Sequence, residues 1–187
     1  MKKLFAILLL CFSAQAYALE IEGVKLADTV QVEKATLKLN GGGLRSVFSF
    51  IKIYVAALYL ENKTTSADAV LADKGYKRIE LHVLGESGSE RFVHGFRKGI
   101  EKNHDKEQLA KLMDRMAAFE KFFDGVKSVT KGDVMAFEWL PGVATRVTFN
   151  GKELGRIEGE DFYRALLAIW IGEHPVLDDL KQGMLGG

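Results

Sequence analysis

The sequence predicts an α+β fold built on a mainly antiparallel sheet. Two observations carry this. Short alternating or β-branched runs lie on both sides of a helical block, rather than alternating one for one with helices as a doubly wound parallel sheet requires. Turn signals, Pro141-Gly142 and Asn150-Gly151, join neighbouring runs into hairpins. With two prolines in 187 residues, no low-complexity linker and no repeat, residues 19–187 read as one domain.

The elements follow in order. Residues 1–18, MKKLFAILLLCFSAQAYA, read as a secretory signal: two lysines, an apolar run, and a small-x-small site at Ala16-Tyr17-Ala18. The run is too short to span a bilayer. Leu10 stands before Cys11 where a lipoprotein site wants a small residue. The short Lys-Lys signal looks bacterial, which predicts a periplasmic protein, and there the Asn62-Lys63-Thr64 sequon reads as chance.

EIEGVKL and ATLKLNG read as short strands meeting at a Gly41-Gly42-Gly43 turn. FIKIYVAALYL is β-branched and aromatic throughout, which predicts a strand buried on both faces. TSADAVLADKG is a short helix with Ser66 as N-cap and Gly75 as its stop. YKRIELHVLG alternates as a strand. In the next two segments Phe92, Phe96 and Ile100, then Leu109, Leu112, Met113, Met116, Phe119 and Phe123, recur at helical spacing, with Asp105 and Gly125 punctuating the second helix. DVMAFEWL, VATRVTFN and KELGRIEG are three more strands. EDFYRALLAIWIG and PVLDDLKQGML close the chain as helices, Pro175 suiting the first turn of the last.

Several functions lose support here. Once Lys2 and Lys3 are removed with the signal, basic and acidic residues nearly balance, which does not favour a nucleic-acid partner. Nothing after the signal is long and apolar enough to span a membrane. The only cysteine, Cys11, lies in the signal, so residues 19–187 must be stabilised by their core rather than by disulfides. The glycine triplet is not followed by Gly-Lys-Ser/Thr, so it is no phosphate loop. His82, His94, His104 and His174 are scattered and give no metal motif. No hydrolase elbow is present, and no cofactor is indicated. Asp178-Asp179 fits a solvated helix end. The Met and aromatic stripes, and Trp170 in ALLAIWIG, read first as packed core.

LNGGGLRSVFSFIKIYVAALYLEN, residues 39–62, raises a sharper question. Arg45 stands at the mouth of an apolar segment with Tyr54 in its middle. As a turn residue Arg45 would keep its head in solvent. Turned inward, its guanidinium would need an anion, because an unpaired buried charge is costly. A bound carboxylate or enolate would serve through paired hydrogen bonds, with the Tyr54 phenol completing the site. Geometry sets a condition. Nine residues of straight strand span roughly 30 Å, and positions 45 and 54 would face opposite sides. The two meet only if the chain reverses or bulges within SVFSF, where Ser46 and Ser49 are the only turn formers.

LNGGGLR…KIYVAALYLEN, GDVMAFEWLPGVATRVTFNGKELGRI and IEGEDFYRALLAIWIGEHPVLDDLKQGMLG together resemble the chalcone isomerase-like family in its exported bacterial branch, over nearly all of residues 19–187. The resemblance implies a curved antiparallel sheet with helices on one face, an open-faced β-sandwich, and an apolar cleft between the layers. The family's plant enzyme closes a chalcone to a flavanone, its arginine holding the anionic nucleophile while hydroxyl side chains support the ketone. Non-catalytic plastid relatives bind fatty acids, with the arginine and a tyrosine on the carboxylate.

Arg45 matches the family arginine. Tyr54 stands where the enzyme has a threonine and the fatty-acid binders a tyrosine. Ile169 replaces a hydroxyl residue of the enzyme, and Phe92 and Gly99 align with its tyrosine and asparagine. Losing one enolate donor costs about 10²–10³ in rate, so losing several argues against that activity. The expectation is therefore a periplasmic, non-catalytic binder of a small apolar anion such as a fatty acid, anchored by Arg45 and Tyr54. The alternative is an isomerase, or intramolecular lyase, acting on an unknown enone or phenolic substrate. A third reading is a partner-binding domain with a closed cleft, in which Arg45 pairs with an internal acid. The oligomeric state is left open.

Overall fold

The computed structural model describes residues 17–48 and 50–187. The signal reading for residues 1–18 lies outside them, apart from Tyr17 and Ala18. A small hairpin comes first, β1 (Tyr17–Ile21) and β2 (Val24–Ala27), antiparallel with Ile21 opposite Val24. EIEGVKL was expected to be one strand. It is instead bent back by Glu22 and Gly23, at φ of 52° and 78°, a pair of left-handed residues that suits a tight hairpin.

The main sheet has seven strands, all antiparallel and in the order β11-β10-β9-β6-β5-β4-β3. They enter the chain as β3 (Thr29–Val32), β4 (Ala35–Val47), β5 (Ile51–Leu60), helix α1 (Ala67–Ala72) and β6 (Lys77–Val83). A two-residue pairing follows between β7 (Ser87–Gly88) and β8 (Ser128–Val129), enclosing α2 (Ser89–Lys102) and α3 (Lys106–Lys121). Then come β9 (Val134–Leu140), β10 (Ala144–Phe149), β11 (Lys152–Ile157), α4 (Glu160–Ile171) and α5 (Asp178–Met184). The sheet is curved and antiparallel with helices on one side, as expected.

Most local signals act as read. Ser66 caps α1 by accepting from the Ala69 N–H at 3.2 Å. Asp105 and Gln108 form a reciprocal capping box on α3. Asn150 and Gly151 turn β10 into β11 at φ of 50° and 77°. Gly75 is not the stop of α1, which ends at Ala72 with Asp73 as its cap. Pro175 lies ahead of α5 rather than in its first turn, the N-cap being Leu177.

β5 is buried on both faces, and its alternation sorts the core into two layers. Tyr54, Ala56, Leu58 and Leu60 pack toward the helices, with Phe96, Phe119, Phe137 and Trp170 in the same cluster. Val55, Ala57 and Tyr59 face the other way, against Leu26, Leu37 and Leu39. Helix α4 is buried almost all round, from Phe162 to Ile171 apart from the exposed Arg164, which explains its near-continuous apolar sequence.

The glycine triplet is not a turn. Gly41, Gly42 and Gly43 lie inside β4, paired with Leu58, Ala57 and Ala56. A Cβ on Gly42 would stand 2.7 Å from Leu26 Cδ1, while at Gly41 and Gly43 the steric demand comes from the far end of the chain. A Cβ on Gly41 would stand 2.1 Å from the Gly183 carbonyl oxygen, and one on Gly43 would stand 2.9 Å from Leu180 Cδ1. The missing side chains let α5 lie with its backbone almost on the strand. Beside them a bulge after Leu39 turns Asn40 into the contact region. Its side chain donates to the Met184 carbonyl at 2.9 Å and accepts from the Thr64 N–H at 2.8 Å. Local sequence reading assigned these glycines to a turn because their real neighbour, α5, is distant in the chain.

Candidate functional site

The reversal that Arg45 and Tyr54 require is the β4–β5 hairpin. Phe48 takes a φ of 51°, and the chain turns between Val47 and Ile51. Ser49, one of the two expected turn formers, lies outside the described residues. The ladder pairs Arg45 with Tyr54, then Ser46 with Lys52 and Val47 with Ile51, so Ile53 is an extra residue on β5. Residues directly opposite in an antiparallel pair project from the same face. The opposite parity of 45 and 54 applied to one straight strand and does not apply across a hairpin.

The two side chains touch. The Arg45 guanidinium carbon lies 5.4 Å from the centre of the Tyr54 ring, a cation–π arrangement. Tyr54 is buried, and its ring meets Phe92 edge-on at 6.2 Å. Its hydroxyl accepts a hydrogen bond from the Trp170 indole N–H at 2.9 Å. Indole N–H is only a donor, so this bond fixes the phenol as acceptor toward α4 and leaves its own proton free to point elsewhere. Burial pushes the Tyr54 phenol above its ordinary range, an effect partly offset by the Arg45 charge and the Trp170 bond. The group thus stays a proton donor at neutral pH.

Arg78, Arg97, Arg115, Arg146 and Arg156 each hold a carboxylate. Arg45, partly buried, has no such partner among the described residues. It borders a cavity of about 350 Å³ between the sheet and α2, shared with Tyr54, Val83, Phe92, Phe96 and Ile169. Val47, Ile51 and Arg91 lie at the same cavity. Arg45 and Tyr54 therefore share one space, and the closed-cleft reading, with an internal acid on Arg45, does not describe it.

The positions matched to enzyme donors divide. Phe92 and Ile169 line the cavity and are apolar. Gly99 is where α2 crosses α4, and a Cβ there would stand 2.7 Å from Ile169 Cγ2. The volume an asparagine would need is filled by Ile169. Trp170 is the site residue that sequence reasoning missed. It packs as core, at 6.0 Å from Phe96, yet it also orients the Tyr54 hydroxyl. A buried tryptophan N–H signals that an acceptor must exist, but not which residue supplies it. Among the described residues no group of three or more His, Cys, Asp or Glu side chains is placed to hold a metal ion, and no helix is long and apolar enough to cross a membrane.

Comparison with known proteins completes the description. No curated protein matches the sequence significantly. Among solved structures, the chain is similar to a fatty-acid binding protein of Arabidopsis thaliana, with a TM-score of 0.70 and 16% sequence identity over 87% of this chain and 92% of that one. At that identity the likeness is one of fold. The family model described as chalcone isomerase-like matches residues 18–186. The chain, by a match that runs through every element of the fold, belongs to the chalcone isomerase-like family.

Proposed function

We propose that this protein binds a small apolar anion, a fatty acid being the leading class, without transforming it. The observation that carries the reading is a cation with no acid partner among the described residues, laid on a tyrosine whose own donor proton is free, at a cavity walled by Val83, Phe92, Phe96 and Ile169, with Lys52, Glu86, Ser87 and Arg91 also lining it. A carboxylate placed there would take two N–H donors from Arg45 and the O–H of Tyr54, while the alkyl chain lies against Phe92, Phe96, Val83 and Ile169. About 350 Å³ is at the small end of the roughly 300–1,000 Å³ range of small-molecule sites, which suits one alkyl chain rather than a two-chain lipid. The solved relative that binds fatty acids supports the choice of ligand class. The signal-like residues 1–18 support a periplasmic setting.

Isomerase chemistry is the weaker reading, since Phe92, Gly99 and Ile169 supply no donor for a developing enolate. The test is gentle purification and mass spectrometry of extracted ligands for wild type and Arg45→Ala, with thermal melts in added saturated fatty acids. Wild type is expected to carry or take up acid and to melt higher with it, and Arg45→Ala to do neither. Absence of lipid and of any melting shift in wild type would sink the proposal. Turnover of a chalcone or simpler enone that vanishes in Arg45→Ala would replace it with the isomerase.

A further inference from the structure

The tip of the β4–β5 hairpin is the most apolar exposed feature among the described residues. Seven large hydrophobic side chains are exposed among the described residues, and four of them, Val47, Phe48, Phe50 and Ile51, fall in this one turn. Phe48 and Phe50 are 77% and 75% exposed and stack on each other at 6.4 Å with a 28° interplanar angle. Clustering of this kind marks an interaction surface, whereas single exposed apolar residues do not. The tip also stands clear of the sheet. The ladder between β5 and β6 ends at Tyr54 opposite Val83, with a last bond from the Leu84 N–H to the Ile53 carbonyl at 2.9 Å, so Ile51 and Lys52 of β5 run beyond it.

The tip is continuous with the cavity. Val47 and Ile51 flank the two phenylalanines and also line the space that holds Arg45 and Tyr54. Lys52, bridged to Glu22, and Arg91 lie at the same opening, with Glu86 beside them. The charges nearly balance, so nothing here repels a zwitterionic or an anionic surface, and the apolar side chains set the attraction. We propose that the Phe48–Phe50 tip inserts into the interfacial layer of a lipid bilayer, bringing the cavity mouth to the surface from which an apolar acid would enter or leave. A bilayer is favoured over a protein partner because the tip borders a cavity suited to a lipid-soluble ligand, and because two paired aromatics with cations behind them match the apolar-then-phosphate layering of a membrane interface. The inference rests on the cavity reading above.

The test is flotation of the protein with phosphatidylcholine vesicles and with phosphatidylethanolamine–phosphatidylglycerol vesicles, alongside titration of free decanoate without vesicles. Wild type is expected to float with both, and to keep floating at high salt because apolar contact dominates. Phe48→Ser/Phe50→Ser should bind vesicles about a hundredfold less, since each buried phenylalanine contributes an order of magnitude or more. It should bind free decanoate like wild type, and load from vesicles more slowly. Arg45→Ala should float normally and lose decanoate. Phe50→Trp should show a blue-shifted emission on adding vesicles. Wild type that does not float, a double serine variant that floats equally, or a tip that instead drives self-association cured by that variant would each overturn the docking. Flotation without decanoate binding would sustain it and sink the cavity reading.

Discussion

Trp170 on α4 donates its indole N–H to the hydroxyl of Tyr54 on β5 at 2.9 Å, a buried bond that ties the helix layer to the sheet beside the Arg45 guanidinium. The bond leaves one proton of the phenol for a ligand and removes its freedom to rotate away.

Trp170→Phe should therefore cost about 1–3 kcal/mol in urea unfolding, because the buried Tyr54 oxygen loses its donor. Tyr54→Phe in the same background should cost much less than the sum of the two single changes, since removing both partners leaves no orphaned group. Additive costs would mean the bond contributes nothing. In ligand titrations Tyr54→Phe should weaken carboxylate binding about tenfold, the worth of one hydrogen bond to a charged group.

Gly41→Ala should destabilise by about 3 kcal/mol or more, at the upper end of overpacking costs, because the new methyl meets the Gly183 backbone rather than a movable side chain. Thermal melts would read this directly. A melting temperature equal to wild type would show that α5 does not lie on β4 as described.

Glu138 is buried and held by Arg78 and Arg146 on the sheet face away from the helices. Glu138→Ala should cost about 1–3 kcal/mol, since two partly buried guanidinium groups lose their shared hydrogen-bond acceptor while Arg78 keeps Glu80 and Arg146 keeps Glu33. Chemical denaturation of Glu138→Ala and Glu138→Gln would measure it, with the glutamine variant recovering packing but not charge.

Three of the five tyrosines are held above the ordinary phenol value of 10.0. Burial is the main cause at Tyr54, Tyr59 and Tyr163, reinforced by the Glu80 charge at Tyr59 and the Glu138 charge at Tyr163. A raised folded-state pKa means the unfolded chain releases these protons first. Their contribution to stability is whole below about pH 10 and falls as pH rises from there toward the folded values. A pH titration of phenolate absorbance should show these three ionising only as the protein unfolds, with circular dichroism changing in step. Reversible ionisation of all five in a folded chain would contradict it.

Sequence and structure part company at identifiable places. The helices, most of the longer strands and the N-caps Ser66 and Asp105 were legible because each is specified by neighbours within one or two turns, whereas β3 and the short β7–β8 pairing were not. Alternation in YKRIELHVLG, the capping box at Asp105 and Gln108, and the left-handed pair Asn150-Gly151 act over a few residues. Even the two buried faces of β5 follow from its own composition. The glycine triplet was misread for the converse reason, since what requires Gly41 and Gly43 is helix α5, and Gly42 faces Leu26, contacts that no local pattern reports.

By itself, then, the sequence determined the α+β class, the antiparallel sheet, and Arg45 and Tyr54 as a cation and a phenol in an apolar stretch. Only the tertiary structure decided that the two meet. The turn joining them has no glycine, proline or asparagine, and Phe48 adopts a left-handed φ without local encouragement. The β4–β5 ladder sets that register, and Trp170, far along the chain, fixes the hydroxyl. Contacts between distant elements carry no periodic trace in the chain, so the site became visible only once the layers were packed.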